Sequence, residues 1–306
     1  LSSAEQILKG DLRALARAAT AIENRTPESQ QLLQAIFPHT GRALTLGITG
    51  APGSGKSTIA DGLIRQLRKE GRKVGVIAVD PSSPFTGGAI LGDRIRMQEH
   101  YADDGVFIRS MATRGTMGGL ASATTDMAML LDAAGFHVVL IETVGVGQDE
   151  VEIARLADVT MVVLVPGMGD DVQAIKAGIM EIADVFIVNK ADQPGADKLE
   201  REIQGMLSLA HRSDNWVPPV VHAIAREGQG IAEALDAARS YMQFEGRRGV
   251  VRERWNLRLK QMLRERLLER FDEHEFERAA AQVADRTRDP YSVVDDWLRR
   301  TEFKQE

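Results

Sequence analysis

The chain has 306 residues, 43% of them hydrophobic and 27% charged, which is enough for one large α/β domain with helical additions. Its formal net charge of -6 argues against a nucleic-acid partner, and the absence of cysteine excludes thiol catalysis, disulfides and Cys-ligated metals. No apolar stretch is long enough to cross a bilayer and no signal peptide is expected, so the expectation is a cytoplasmic protein with no membrane partner.

Residues 1–40 read as a helical arm, because Ile7, Leu8, Leu12, Leu15, Ala19 and Ile22 recur at helical spacing. Thr26-Pro27 reads as an N-cap and first helical residue. The arm is either a packed extension or a partner-binding element. Residues 41–246 then alternate short apolar runs with helical patterns. Strands are predicted at 44–49, 73–79, 105–109, 137–142, 159–165, 184–188 and 219–223. Continuous runs such as Val159 to Val165 suit strands buried on both faces of a mostly parallel, helix-flanked sheet. In such a sheet ligands sit at the carboxyl ends of the strands.

The first strand leads into Gly50-Ala51-Pro52-Gly53-Ser54-Gly55-Lys56-Ser57, followed by Thr58 and an amphipathic run to Lys69. The order strand, Gly-rich loop, helix is the context a phosphate-binding loop requires. Small residues let backbone N–H groups turn inward around phosphate oxygens, and the helix N-terminus adds unpaired donors. Lys56 can reach the β/γ oxygens, and the Ser57 hydroxyl can ligate Mg²⁺. The second strand ends at Asp80, a carboxylate able to hold Mg²⁺ directly or through water; Asp93, further on, is either a second such group or a helix cap. The segment from Arg109 to Gly119 reads as a loop, with Arg114 either reaching an anion or solvated.

The fourth strand ends at Glu142-Thr143-Val144-Gly145. An acid, two residues and a Gly match the metal-assisting acid and γ-phosphate-sensing N–H of GTPases, with Glu142 in place of the usual Asp. Val146 stands where Ras-like GTPases carry the water-orienting Gln, so slow intrinsic hydrolysis is expected unless a partner or a shifted residue such as Gln148 helps. After the fifth strand, Asp170, Gln173 and Lys176 can make switchable polar contacts, or the loop is plain with a capping Asp. The sixth strand ends in Asn189-Lys190-Ala191-Asp192. The Asp192 carboxylate can accept from the ring N–H and amine of guanine, whereas adenine offers it a lone pair. Ala223 and Ile224, after the last strand, fall where a backbone contact to the base is expected. Residues 247–306 shift to charged helices with a stripe of Trp255, Leu259, Met262, Leu263, Leu267 and Phe271, either core or a homodimer interface.

Taken together, G-A-P-G-S-G-K-S at 50–57, V-D-P-S-S at 79–83, G-D-R at 92–94, T-R-G at 113–115, E-T-V-G-V-G-Q at 142–148, G-D-D-V-Q-A-I-K at 169–176 and N-K-A-D at 189–192 make the chain resemble the MeaB/MMAA GTPases, also called ArgK. The resemblance covers nearly the whole chain. It implies a P-loop GTPase that binds GTP and GDP with Mg²⁺, with Lys56 and Ser57 on phosphate and metal. It also implies that Asp80, Asp93 and Glu142 form a metal-linked switch network. The loop with Asp170, Gln173 and Lys176 would sense a partner. That partner would be an adenosylcobalamin-dependent acyl-CoA mutase, such as methylmalonyl-CoA or isobutyryl-CoA mutase, whose cobalamin loading the GTPase gates and protects. The C-terminal helices would form the dimer.

Three other readings compete. The ArgK label suggests a nucleotide-dependent kinase linked to amino-acid transport, but neither an acceptor site nor a catalytic base is identifiable. A nickel-insertion GTPase is disfavoured by the lack of Cys and by six scattered His residues. A purely structural binder would show no guanine-nucleotide affinity at all.

Overall fold

The computed structural model describes residues 2–80, 97–112, 119–143, 156–167, 182–209, 212, 214–245, 247–268 and 270–302. The chain divides into two compact units, Leu1–Val251 and Arg252–Glu306.

The first unit begins with α1 (Ser3–Leu8), α2 (Leu12–Glu23) and α3 (Pro27–Ile36). Ser2 and Glu5 form a capping box on α1, and Asp11 caps α2 by accepting from the N–H groups of Arg13 and Ala14. Thr26 is the N-cap of α3 without a side-chain bond; the Ser29 hydroxyl donates back to its carbonyl instead, at 2.6 Å. There follow β1 (Leu44–Thr49), α4 (Lys56–Lys69), β2 (Val74–Asp80), β3 (Val106–Ala112), α5 (Gly119–Ala133), β4 (Val138–Thr143), β5 (Val159–Leu164) and β6 (Val185–Asn189). The unit continues with α6 (Ala196–Leu209), β7 (Val220–Ala223), α7 (Ile231–Gln243) and the start of α8 (Arg247–Leu268).

The seven strands form one sheet in the order β3-β2-β4-β1-β5-β6-β7, and all pairings are parallel. The expected fold class is therefore what the chain adopts. Period-two alternation explains why both faces are apolar. In β4, Val138 and Leu140 pack on one side with Leu46, Ile48, α4 and α7, while Val139 and Ile141 pack on the other with α5. The second face is completed by the N-terminal helices, since Ile7, Leu15, Ala19, Ile22 and Ile36 are buried in the same cluster as Ile77 and Val139. Asp132 of α5 accepts from the N–H groups of Gly41 (2.5 Å) and Ala43 (3.0 Å), fixing the entry to β1. A third cluster joins Val162, Phe186 and Val188 to Leu199 and Ile203 of α6.

One expectation needs correcting. Residues 110–112 continue β3 beyond the expected end at 109 rather than starting a loop, and Arg109 lies in register with Ile77. Arg109 is tolerated in a strand because β3 is an edge, and its guanidinium pairs with Glu23 of α2.

In the second unit α8 continues into α9 (Glu273–Ala284) and α10 (Pro290–Glu302). Asp272 and Asp289 cap the last two by accepting from the N–H groups of Glu275 and Ser292. Phe271, Phe276 and Trp297 form an aromatic triad with centroids 4.9 to 6.3 Å apart. Of the stripe expected on α8, Leu259 is 60% and Leu263 61% exposed, so within this unit they are surface rather than core. No described helix is long and apolar enough to cross a membrane.

Candidate functional site

Because every strand runs the same way, the ends of β1, β4, β6 and β7 lie along one edge of the sheet. The loop after β1 takes the backbone through φ 141° at Gly50, 79° at Gly53 and 91° at Gly55. A Cβ on Gly50 would sit 2.2 Å from the Val163 carbonyl oxygen, a main-chain atom. A Cβ on Gly55 would sit 2.3 Å from Nδ2 of Asn189. The second glycine is therefore demanded by another motif far along the chain, as well as by its own left-handed conformation.

Lys56, the first residue of α4, is buried, and its ammonium donates to the carbonyls of Gly50 (2.8 Å) and Ala51 (3.0 Å). The charge is thus held inside the loop whose N–H groups and helix end favour an anion. Ser54 is fully buried. The β1–β4 register sets Ile48 opposite Glu142, which brings that acid to the first turn of α4. There the Ser57 hydroxyl donates to Oε1 of Glu142 at 2.6 Å, and Glu142 is only 3% exposed. A hydroxyl and a carboxylate side by side form a hard-oxygen pair of the kind Mg²⁺ prefers, so the residues present fit that ion.

At the end of β6, Asn189 is buried and bonds in two directions. Its Nδ2 donates to the Ser54 carbonyl at 2.9 Å, and its Oδ1 accepts from the Ala225 N–H at 3.1 Å. Lys190, at φ 55°, extends its ammonium to the Gly53 carbonyl at 3.0 Å. One motif therefore ties together the loop after β1 and the loop after β7. The Ala191 N–H donates to the Ala223 carbonyl at 3.0 Å, which adds a second tie to the later loop. Ile224 donates its N–H to the Gln229 carbonyl at 3.1 Å, so among the backbone groups of Ala223 and Ile224 expected near a base, this one already has an internal partner. Asp192 is paired with Arg226 at 2.8 Å.

Asp80 closes β2 at the same sheet edge, in register with Ala112. Asp93, Arg114, Gly145, Val146, Gln148, Asp170, Gln173 and Lys176 lie outside the described residues. The structure brings together the loop at 50–57, Glu142 and the 189–192 motif.

Sequence reasoning missed Arg226, which has no local signal beyond a positive charge in a polar loop. It also missed a polar knot at the opposite end of β6. There Arg212 donates to the Ala183 carbonyl (2.6 Å) and pairs with Asp184 (2.9 Å) and Asp214 (2.7 Å). Burial pushes the Asp184 carboxyl above the usual range, against the pull of Arg212 and of the Thr160 N–H.

A profile of the family described as methylmalonyl Co-A mutase-associated GTPase MeaB matches residues 15–278. A Pyrococcus abyssi protein named as a GTPase is 48% identical over 306 residues, covering 96% of this chain and 94% of its own. GTPase ArgK of Escherichia coli is 42% identical, covering 77% of this chain and 73% of its own. The mitochondrial methylmalonic aciduria type A homolog of Mus musculus is 34% identical over 88% of this chain and 70% of its own. The crystal structure of a protein named LAO/AO transport system kinase superposes with a TM-score of 0.73 at 30% identity, covering 98% of this chain and 96% of that one. With its loop at 50–57, its acid at 142 and its N-K-x-D element clasped on one edge of a parallel sheet, and with a family profile matching most of its length, the chain belongs to the MeaB family of methylmalonyl-CoA mutase-associated GTPases.

Proposed function

We propose that this chain binds GTP, hydrolyses it slowly to GDP and phosphate, and reports which nucleotide it holds to an adenosylcobalamin-dependent acyl-CoA mutase, gating and protecting that enzyme's cobalamin loading. The carrying observation is the clasp made by Asn189 between the Ser54 carbonyl and the Ala225 N–H. It couples the phosphate loop to the base loop through one buried side chain, so a single nucleotide can be read at both ends.

In this reading the loop N–H groups and the N-terminus of α4 receive the phosphates, and Lys56 exchanges the carbonyls of Gly50 and Ala51 for phosphate oxygens. Ser57 and Glu142 hold Mg²⁺, with Asp80 near by on the same edge. The ion supplies positive charge against the phosphate oxygens. Asp192 selects guanine, because adenine would leave its carboxylate facing a ring acceptor at a cost of several kcal/mol, roughly. Val146 cannot orient water, which fits a slow intrinsic rate. Asp93, Gly145, Asp170, Gln173 and Lys176 are assigned to the switch by motif position.

A nucleotide-dependent output requires that GTP and GDP favour different conformations. A near-complete switch needs differential affinity of about 5.5 kcal/mol. The mutase assignment is supported by the family's description and by the relation to the mouse homolog. A homodimer is supported by the apolar residues that α8 leaves exposed, Trp255, Leu259, Met262 and Leu263.

The test is phosphate release from GTP, with and without candidate mutases, in wild type, Lys56→Ala and Asp192→Asn. The expected result is slow release, accelerated by the cognate mutase and lost in Lys56→Ala, with guanine preference lost in Asp192→Asn. Preference for ATP, or a phosphorylated amino-acid-linked acceptor in place of free phosphate, would establish the kinase reading that the name of the superposed protein suggests.

A further inference from the structure

The carboxylate assigned above to guanine is not waiting with both oxygens open. Oδ2 of Asp192 accepts from the Arg226 guanidinium at 2.8 Å. Arg226 does not belong to the N-K-x-D element. It sits in the 3-10 turn Ala225–Glu227 of the loop after β7.

That turn is held rigidly. The Ala225 N–H donates to Asn189, Ile224 and Gln229 form a bridge, and Gly228 and Gly230 adopt φ 75° and 78°. A Cβ on Gly230 would lie 2.1 Å from the His222 carbonyl, so the loop has little room to shift. The Arg226 side chain, in contrast, is 70% exposed. It has a second anion in reach, since its Nε lies 3.4 Å from Oε1 of Glu227. A well-anchored turn thus carries one exposed cation between two carboxylates.

Guanine presents two donors, the ring N–H and the exocyclic amine, and each needs one oxygen of Asp192. One of those oxygens already accepts from a cation; it keeps a second lone pair, but an acceptor shared with a guanidinium is a weaker partner for the base. We infer that Arg226 competes with guanine for Asp192 and yields to Glu227 when the base engages, so that this side chain sets how tightly the site holds its nucleotide. The inference rests on the assignment of Asp192 to guanine.

A partly exposed pair of this kind is weak, so removing the competitor tightens binding by about threefold. The effect is screened by salt. Losing a positive charge would also weaken attraction for any nucleotide anion, so the pair must be isolated from that general field. Xanthine does this: it carries a carbonyl where guanine carries the amine, so Asp192→Asn can bind it by donating from the amide, with no carboxylate left for Arg226 to hold.

The experiment titrates fluorescently labelled GDP into wild type, Arg226→Gln and Asp192→Asn. It also titrates labelled xanthosine diphosphate into Asp192→Asn and into Asp192→Asn/Arg226→Gln. Arg226→Gln is expected to tighten GDP about threefold at low salt, with the gain disappearing near roughly 1 M salt, where the screening length is about 3 Å. In the Asp192→Asn background the same change is expected to leave xanthosine diphosphate affinity unimproved. Unchanged or weaker GDP binding in Arg226→Gln, while Asp192→Asn still loses guanine preference, overturns the competition and leaves the guanine assignment standing. An equal gain in both backgrounds also overturns it. Retained guanine preference in Asp192→Asn overturns the assignment and the competition together.

Discussion

The two ends of the proposed nucleotide site, one assigned to phosphate and one to the base, are built by opposite strategies. The phosphate end is made of main chain: glycines at positive φ and a lysine buried against two carbonyls of its own loop. The base end is made of side chains. Asn189 is buried, but Lys190, Asp192 and Arg226 meet solvent, and Arg226 has two carboxylates within reach. Phosphate is common to all nucleotides and suits a fixed cradle. The base is where discrimination and release are tuned, and exposed charges are weak enough to be tuned. On the proposed assignment, the contrast teaches that burial and fixed main chain are concentrated where the ligand is generic, and adjustable charge where it is specific.

The largest predicted effect breaks the base end from behind. Arg212→Ala would leave Asp184 buried beside Ala183 without its cation, at the start of the strand that ends in Asn189. A loss of about 3–5 kcal/mol in urea unfolding is expected, with guanine selectivity degraded in the protein that remains folded. A loss below about 1 kcal/mol would mean that water replaces the guanidinium at no real cost.

Gly50→Ala attacks the phosphate end. It places a methyl against the Val163 carbonyl and forces a left-handed residue, so about 2–3 kcal/mol of stability and most labelled-GDP binding should be lost. Wild-type binding in this variant would show that the loop can rebuild itself, which the main-chain strategy denies.

Asn189→Ala tests whether the two ends are joined. It leaves the Ser54 carbonyl and the Ala225 N–H without their side-chain partner, at a cost of about 1–3 kcal/mol. It should weaken phosphate-end and base-end contacts together, so affinity for GDP and for guanosine should both fall. A change confined to one of them would separate the ends.

The smallest effect is a control outside both. Arg68 of α4 bonds Asp103 through Nε and NH2, each at 2.8 Å, and holds that carboxyl below its ordinary value of 3.8. A carboxylate with a depressed folded value adds stability above its unfolded value and loses it as pH falls through the folded one. Asp103→Asn should therefore lower stability slightly at neutral pH and flatten the acid limb of the unfolding profile below about pH 4, with nucleotide affinity unchanged.

Much of the fold was legible because its signals are local. Seven apolar runs gave seven parallel strands, and β1 matches its expected span, Leu44–Thr49. The sequence places the end of β3 at 109, three residues early, because Arg109 and Ser110 look like the start of a loop until α2 is known to cover Arg109 with Glu23. Similarly, the loop at 50–57 could be singled out as a candidate phosphate loop because eight adjacent residues carry its motif. Arg226 was not readable, since its partner lies 34 residues away and its role depends on a turn closed by Gln229.

The chain's own order of residues thus determined where the conformationally permissive glycines, the metal-suited hydroxyl and the acid proposed to select the base fall, because backbone freedom and side-chain chemistry belong to each residue type. Only tertiary structure decided that Glu142 meets Ser57, that Asn189 spans from Ser54 to Ala225, and that Asp192 shares itself with Arg226. Those contacts join segments 34 to 135 residues apart, and strand register and parallel crossover, rather than any local preference, bring them within hydrogen-bonding distance.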